Sequence, residues 1–535
     1  MTALSSWKRA NRAACVAACA VAAWAGACNE HGIVGITSER VARDAGASHD
    51  AAPGTDADGA SLPIALDDCL PVNHAGLDTA TAQHLVDGSG DASAMRFLYP
   101  YDGTVFPRGI PGPTLMWDAP AAGVVYVHLH SSTFDYQGCL NPTGPNLLDL
   151  PSGVWDLAAA STKGAADPFT LDLKVYANET IYGPITEQLV IATGSLPGSV
   201  YFMEMVLPAS EMAVMRVRAG APAETFLSFV CTGCHAASAN GTRFLAYSSG
   251  SGGSFTSSGS SSPKTLLGST PGAEFAGISP DGSVYVAGAH PTGGGGPRTY
   301  GGGVTNAGLY DMATGMLVAD SGVPAGAGMP AFSPDGTQLA FTDFGASAGH
   351  TLARMSFSSA TRVASDSRPL YSTETEFVGW PTFLPDGNAV VFAQGAAADF
   401  SGQDVGLVPV ITGPPTDLFI VDTAGTSTML FQAAGFHSSA DAETGQTYLP
   451  GGAADLHENY YPSVSPAATG GYAWALFDSM RTYGNLGVRR GIWITALTLH
   501  ADGTYADDPS HPPFYLPGQN VNSVNFRGVA AFDPP

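Results

Sequence analysis

The sequence predicts an all-β protein: an N-terminal antiparallel β-sandwich followed by a roughly six-bladed β-propeller. Three observations carry that expectation. Glycine and proline supply 66 and 39 of the 535 residues while only 13% are charged, a mixture that favours short strands and turns over long helices. Apolar runs of about four to eight residues alternate with Gly/Pro punctuation along most of the chain. From Ser238 onward an Asp-Gly or Asn-Gly turn followed by an apolar strand recurs, as repeat architectures require. At about 150 residues per domain the length suggests two to four units.

The N-terminus reads as an export signal. Lys8, Arg9 and Arg12 precede an uncharged, Ala-rich run from Ala13 to Ala27, the charge-then-apolar order of a secretory signal over residues 1–27 and too short for a permanent bilayer span. The run ends Trp24-Ala25-Gly26-Ala27-Cys28. It is read either as small-residue cleavage before Cys28 or as a bacterial lipoprotein lipobox with Cys28 acylated, although Ala25 stands where a lipobox normally has Leu. Residues 28–65 are small, polar and poor in aromatics, as a disordered tether is; Asp56 and Asp58 lack the later Glu of a calcium loop. The expected location is outside the cytoplasm, in the periplasm or on the outer membrane or cell surface as a lipoprotein. With 21 Lys+Arg against 46 Asp+Glu the chain carries −25, and loss of Lys8, Arg9 and Arg12 takes it to −28. Such a field repels phosphate backbones and excludes nucleic acid as a partner.

Residues 66–219 are assigned to the sandwich. Its strands are Phe97-Leu98-Tyr99-Pro100, Val124 to Leu129, Phe169 to Tyr176, Val200 to Met203 and Met212 to Val217. The opening Tyr99-Pro100-Tyr101-Asp102-Gly103 with Trp117 downstream resembles the first strands of a fibronectin-like or immunoglobulin-like module. His128 and His130 share one face of their strand, which offers half of a metal site; with no third ligand nearby they are read as packed or surface histidines. Once Cys15 and Cys19 leave with the signal, Cys69 and Cys139 are the disulfide candidates of an oxidising compartment.

Residues 238–535 hold the repeat. Ser238-Ala239-Asn240-Gly241, Ser279-Pro280-Asp281-Gly282, Ser333-Pro334-Asp335-Gly336 and Leu384-Pro385-Asp386-Gly387 each precede an apolar strand, and Pro462 to Pro466 is a degenerate fifth copy. Pro presets φ, Asp bonds its own backbone and Gly supplies positive φ, so each copy is a tight hairpin. Counting from Ser238, Ser279, Ser333, Leu384 and Ser465, the spacings are 41, 54, 51 and 81 residues, the first three suiting a four-stranded blade with insertions. At these residues the chain resembles the TolB-like β-propeller repeat family. Asn525 to Phe532 reads as a closing strand that leaves no sheet edge exposed.

Between sandwich and repeat, within residues 220–237, lies Cys231-Thr232-Gly233-Cys234-His235. It resembles the haem-attachment signature of c-type cytochromes. The resemblance implies thioethers from Cys231 and Cys234 to haem c and His235 as proximal iron ligand. It is confined to these five residues, and the other reading is a local disulfide beside an ordinary histidine. A thioredoxin-like site lacks its βαβ context and zinc lacks two further ligands. The sequence assigns no sixth ligand: Met203, Met205, His290, His437 and His457 are candidates, each read first as structural. Gly345-Ala346-Ser347-Ala348-Gly349 matches a nucleophile elbow, but a strand-like stretch follows it where a helix is needed.

The expected function is that of an exported mono-haem protein transferring electrons to an unidentified redox or envelope protein, a carrier or binder rather than an enzyme. The alternative is a haem-free envelope scaffold that recognises protein or glycan partners, as the TolB-like resemblance implies; a third is a propeller enzyme with its site at the channel mouth.

Overall fold

The computed structural model describes residues 63–534 apart from 119–120, 122, 207–210, 230–231, 249–250, 259–260, 271–274, 290–305, 397–414 and 488. The export signal, Cys28, nearly all of the tether, Cys231 and His290 lie outside the described residues.

The N-terminal module contains β1 (Ile64–Asp68), β2 (Arg96–Tyr99), β3 (Val105–Arg108), β4 (Thr114–Asp118), β5 (Val124–His130), β6 (Phe134–Leu140), β7 (Leu147–Asp149), β8 (Phe169–Ala177) and β9 (Thr180–Ser195). They form a six-stranded sheet in the order β1-β6-β5-β8-β9-β3 and a three-stranded sheet β2-β4-β7. Both edges of the larger sheet pair in parallel, β1 with β6 and β3 with β9. The expected purely antiparallel sandwich is thus corrected at its edges, where strands distant in sequence meet without a hairpin. β1 also begins at Ile64, inside the segment read as tether.

Strand alternation gives β5 two faces. Val125, Val127 and Leu129 are buried with Trp117 and Trp155 in the main core. On the other face Tyr126 packs with Cys69, Cys139 and Leu85 under helix α1 (Thr79–Asp87). Asp78 caps that helix by accepting from the amides of Ala80 and Thr81, satisfying two of its free donors. Cys69 and Cys139 are joined in a disulfide with Cα atoms 4.6 Å apart. A second helix, α2 (Ser152–Ser161), buries Trp155.

The rest of the described chain is a ring of sheets. The first contains β10 (Ser199–Val206), β11 (Glu211–Arg218) and β12 (Glu224–Phe229); the second β13 (Thr232–Ala237), β14 (Arg243–Ser248), β15 (Ser251–Ser258) and β16 (Ser261–Thr270). The third contains β17 (Ala276–Ile278), β18 (Val284–Ala287) and β19 (Gly308–Asp311); the fourth β20 (Ala327–Phe332), β21 (Gln338–Asp343), β22 (Thr351–Ser358) and β23 (Val363–Ser372). The fifth contains β24 (Phe377–Phe383), β25 (Ala389–Gly395), β26 (Thr416–Asp422) and β27 (Ser427–Met429); the sixth β28 (Asn459–Val464), β29 (Tyr472–Ser479), β30 (Gly491–Thr498) and β31 (Phe514–Tyr515). The last strand, β32 (Val524–Ala531), returns to pair antiparallel with β10. Strands β13, β17, β20, β24, β28 and β32 neighbour one another in a closed cycle.

Each repeated turn joins the first and second strands of a sheet. In the Ser333 copy the Ser333 hydroxyl donates to Asp335 at 2.5 Å, Asp335 accepts the Thr337 amide at 3.0 Å, and Gly336 sits at φ 69°. Neighbouring turns are linked: Asn240 donates to the Asp281 carbonyl at 3.0 Å.

The domain boundaries also move. β10 to β12, assigned from the sequence to the sandwich, belong to the ring through β32, and β13 begins before Ser238. An antiparallel hairpin looks the same locally whichever sheet it joins. The module itself packs on the sixth sheet, with Tyr99 against Tyr483 at 4.8 Å and Phe106 against Phe514 at 5.4 Å between ring centroids.

Candidate functional site at the axis of the ring

The six strands of the cycle line the axis, and their sequences superpose on the turn. Four residues before the turn serine or its equivalent stand Phe275, Met329, Trp380, Tyr461 and Arg527. Met329, Trp380, Tyr461 and Arg527 have φ of 48°, 54°, 51° and 55°, a region uncommon for non-glycine residues. Each lies at a break in strand register. Such bulges bend a strand and re-aim its side chain.

The re-aimed side chains meet. Phe275 lies 5.8 Å from Trp380 and Trp380 4.7 Å from Tyr461, ring centre to ring centre. The Arg527 guanidinium stands 4.3 Å over Trp380 and 5.4 Å from Tyr461, a desolvated cation–π arrangement. Behind it Asp478 pairs with Arg490 at 2.5 Å, both buried, and accepts the Arg527 amide at 3.2 Å. Burial pushes the Asp478 carboxyl up to about 6 although both arginines pull it down. A cavity of about 190 Å³ runs along the axis, touched by His235, Ile278, Phe332, Trp380, Tyr461 and Arg527.

Cys234 and His235 fall on β13 in this same register, Cys234 at the bulge position and His235 one residue on, where other strands carry Pro330, Pro381 and Pro462. His235 is 1% exposed and its ring stacks on Phe244 at 5.5 Å. Among the described residues neither ring nitrogen makes a well-formed hydrogen bond, although the Tyr201 and Arg527 backbone acts weakly on the ring. Burial first, then the Arg527 charge, push its pKa down to about 3 against a weak opposing pull from the Tyr201 and Arg527 carbonyls. The imidazole is therefore neutral at ordinary pH. The motif was expected at the junction of sandwich and propeller; the structure puts β13 inside the ring, beside β32 and β17.

The remaining candidates scatter. Met203 and Met205 sit in or on the apolar cluster that includes Phe244. His437 packs beside Tyr448 at 5.2 Å. His457 is half-exposed and its Nδ1 lies 2.6 Å from the Asp417 carboxylate, which raises its pKa. Ser347 donates to the Asp343 carbonyl at 2.7 Å, leaving no elbow geometry. The aromatic plug escaped sequence reasoning, although Met329-Pro330, Trp380-Pro381 and Tyr461-Pro462 announce it at constant distance from the turn.

The chain is similar to TolB. The TolB structure from Acinetobacter baumannii is 14% identical, with a TM-score of 0.39, over 74% of this chain and 90% of that one. A putative TolB from Agrobacterium tumefaciens is 15% identical, TM-score 0.33, over 64% and 94%. Kuenenia stuttgartiensis hydrazine synthase is 15% identical, TM-score 0.31, over 57% and 77%. No family model and no curated protein matches. Likenesses this distant carry no conclusion about activity.

Whether haem fits can be asked of the donors and of the space. A buried, neutral imidazole with no well-formed hydrogen bond among the described residues, next to Cys234 in sequence, fits an axial ligand. The axial cavity is smaller than the about 300–1,000 Å³ of preformed small-molecule pockets, so a porphyrin held by His235 is not accommodated within the axis alone.

Proposed function

We propose that the chain is an exported c-type mono-haem protein that transfers electrons in the cell envelope, built on a six-bladed TolB-like propeller. The observation that carries this reading is His235, a buried imidazole adjacent to Cys234 that makes no well-formed hydrogen bond among the described residues. Buried polar groups are normally hydrogen-bonded, so an imidazole this weakly satisfied suits a ligand. Cys231 and Cys234 would hold the group by thioethers and His235 would face its iron. Bound haem c supplies a one-electron carrier. The chain's own contribution is to keep His235 neutral through burial and to exclude water with Phe244 on one side of it. The Cys69–Cys139 disulfide supports export, since such bonds persist in oxidising compartments; a lipid tether at Cys28 belongs to the same proposal.

The small axial cavity favours the second reading, a haem-free envelope binder engaging protein or glycan partners at the rim of the ring. One experiment separates them. The mature chain is exported in a host competent for c-haem attachment, beside a Cys231→Ala/Cys234→Ala variant, and reduced-minus-oxidised spectra are compared. A sharp reduced α-band that resists acid-acetone extraction and vanishes in the variant supports covalent haem. Colourless protein from that host overturns it.

A further inference from the structure

The outer face of β5 carries a cluster that the axial site does not use. His128 and His130 are two apart on the strand and so project on one side. Asp172 on β8 lies directly across from His128 in the antiparallel register. Ligand atoms of His128, His130 and Asp172 all lie within 4.8 Å of one another. One carboxylate oxygen, Oδ2 of Asp172, is 3.8 Å from Nδ1 of His128 and 3.6 Å from Nε2 of His130. The two imidazoles stack at 4.2 Å and 23°.

The surroundings orient these donors. The Thr186 hydroxyl donates to Oδ1 of Asp172 at 2.5 Å, turning Oδ2 toward the imidazoles. Asp135 on β6 places an oxygen 3.1 Å from Nε2 of His128. Side-chain exposures of 24%, 35% and 23% for His128, His130 and Asp172 leave the cluster open to solvent without isolating it there.

The geometry points to a binding site for a divalent transition-metal ion of the zinc class, held by His128, His130 and Asp172, with Thr186 as a positioning residue. Two imidazoles select such an ion over calcium or magnesium, which take oxygen ligands. Three protein ligands with an open fourth position are the usual make-up of an accessible zinc site. Bond lengths of about 2.0–2.2 Å around a tetrahedral ion bring ligand atoms to roughly 3.3 Å of one another. The two separations to Oδ2 need to shrink by a few tenths of an ångström, and the two imidazole nitrogens, within 4.8 Å of each other, must close by rotation of the stacked rings. The site is independent of haem attachment.

The test titrates zinc chloride by calorimetry into untagged protein carrying Cys231→Ala/Cys234→Ala, so that these thiols do not compete. One zinc ion per chain is expected. His130→Ala and Asp172→Asn should each weaken it at least about a hundredfold, and Thr186→Val about ten- to a hundredfold, with zinc-free thermal midpoints unchanged. Cobalt(II) should give the intense visible bands of a tetrahedral site in the parent and not in His130→Ala. Absence of zinc uptake by the parent, or uptake unaltered by His130→Ala and Asp172→Asn, overturns the proposal and leaves the cluster as imidazole–carboxylate pairs.

Discussion

His235 and Asp478 show how a single buried group sets the pH response of the fold. His235 is held to about 3 against an ordinary 6.5. A lowered histidine contributes stability that is full above the unfolded value and lost as pH falls from 6.5 toward 3. Haem-free protein should lose up to about 1.4 kcal/mol per pH unit from this group across that window. The slope difference between parent and His235→Leu in denaturant unfolding isolates it from His511, lowered to about 4 by burial; identical slopes would count against it. Asp478 acts in the opposite sense, its stability present below 3.8 and lost as pH rises through about 6. Removing it takes from buried Arg490 the carboxylate it pairs with at 2.5 Å. Asp478→Ala should cost about 3–5 kcal/mol, while Asp478→Leu with Arg490→Met should cost much less. Chemical denaturation of both variants decides.

At the scale of the element, the turn governs each sheet, and there the chain was legible in advance. The strands at Phe244, Val284, Leu339, Ala389 and Tyr472 follow the repeated turns as second strands of successive sheets. Proline, aspartate and glycine act on their own backbone, so the signal is local. Gly387 sits at φ 73° with open space where a Cβ would go. Gly387→Ala should therefore report backbone conformation alone, about 1–2 kcal/mol, measurable as a lowered denaturation midpoint. The Cys-x-x-Cys-His run was equally plain, but the burial of His235 within the ring was not. Asp172 was invisible as a partner for His128 because only strand pairing brings residues 44 positions apart face to face. The parallel pairing of β1 with β6 was hidden for the same reason.

At the scale of the molecule, closure matters most. β32 supplies the axial strand of the first sheet, and without it β10 would present an open edge and the sixth sheet would lose the strand that packs on it. Deleting residues 523–535 should turn the protein into an aggregating species that lacks a single cooperative transition; light scattering and calorimetry read the outcome. A soluble, cooperatively melting truncation would show that the ring does not depend on its last strand. The module on the sixth sheet is not an appendage, since Tyr99, Phe106, Trp493 and Phe514 share one core. Its removal should destabilise the ring as well.

The pairing of Ser199 with Ala531 also has a consequence in time. The two partners are separated by most of the chain, and long-range pairings form slowly because loop closure must come first. No partial chain can complete the circle. A polypeptide crossing a membrane from its N-terminus would thus remain an open arc until the final strand emerged, so assembly and release on the far side would coincide.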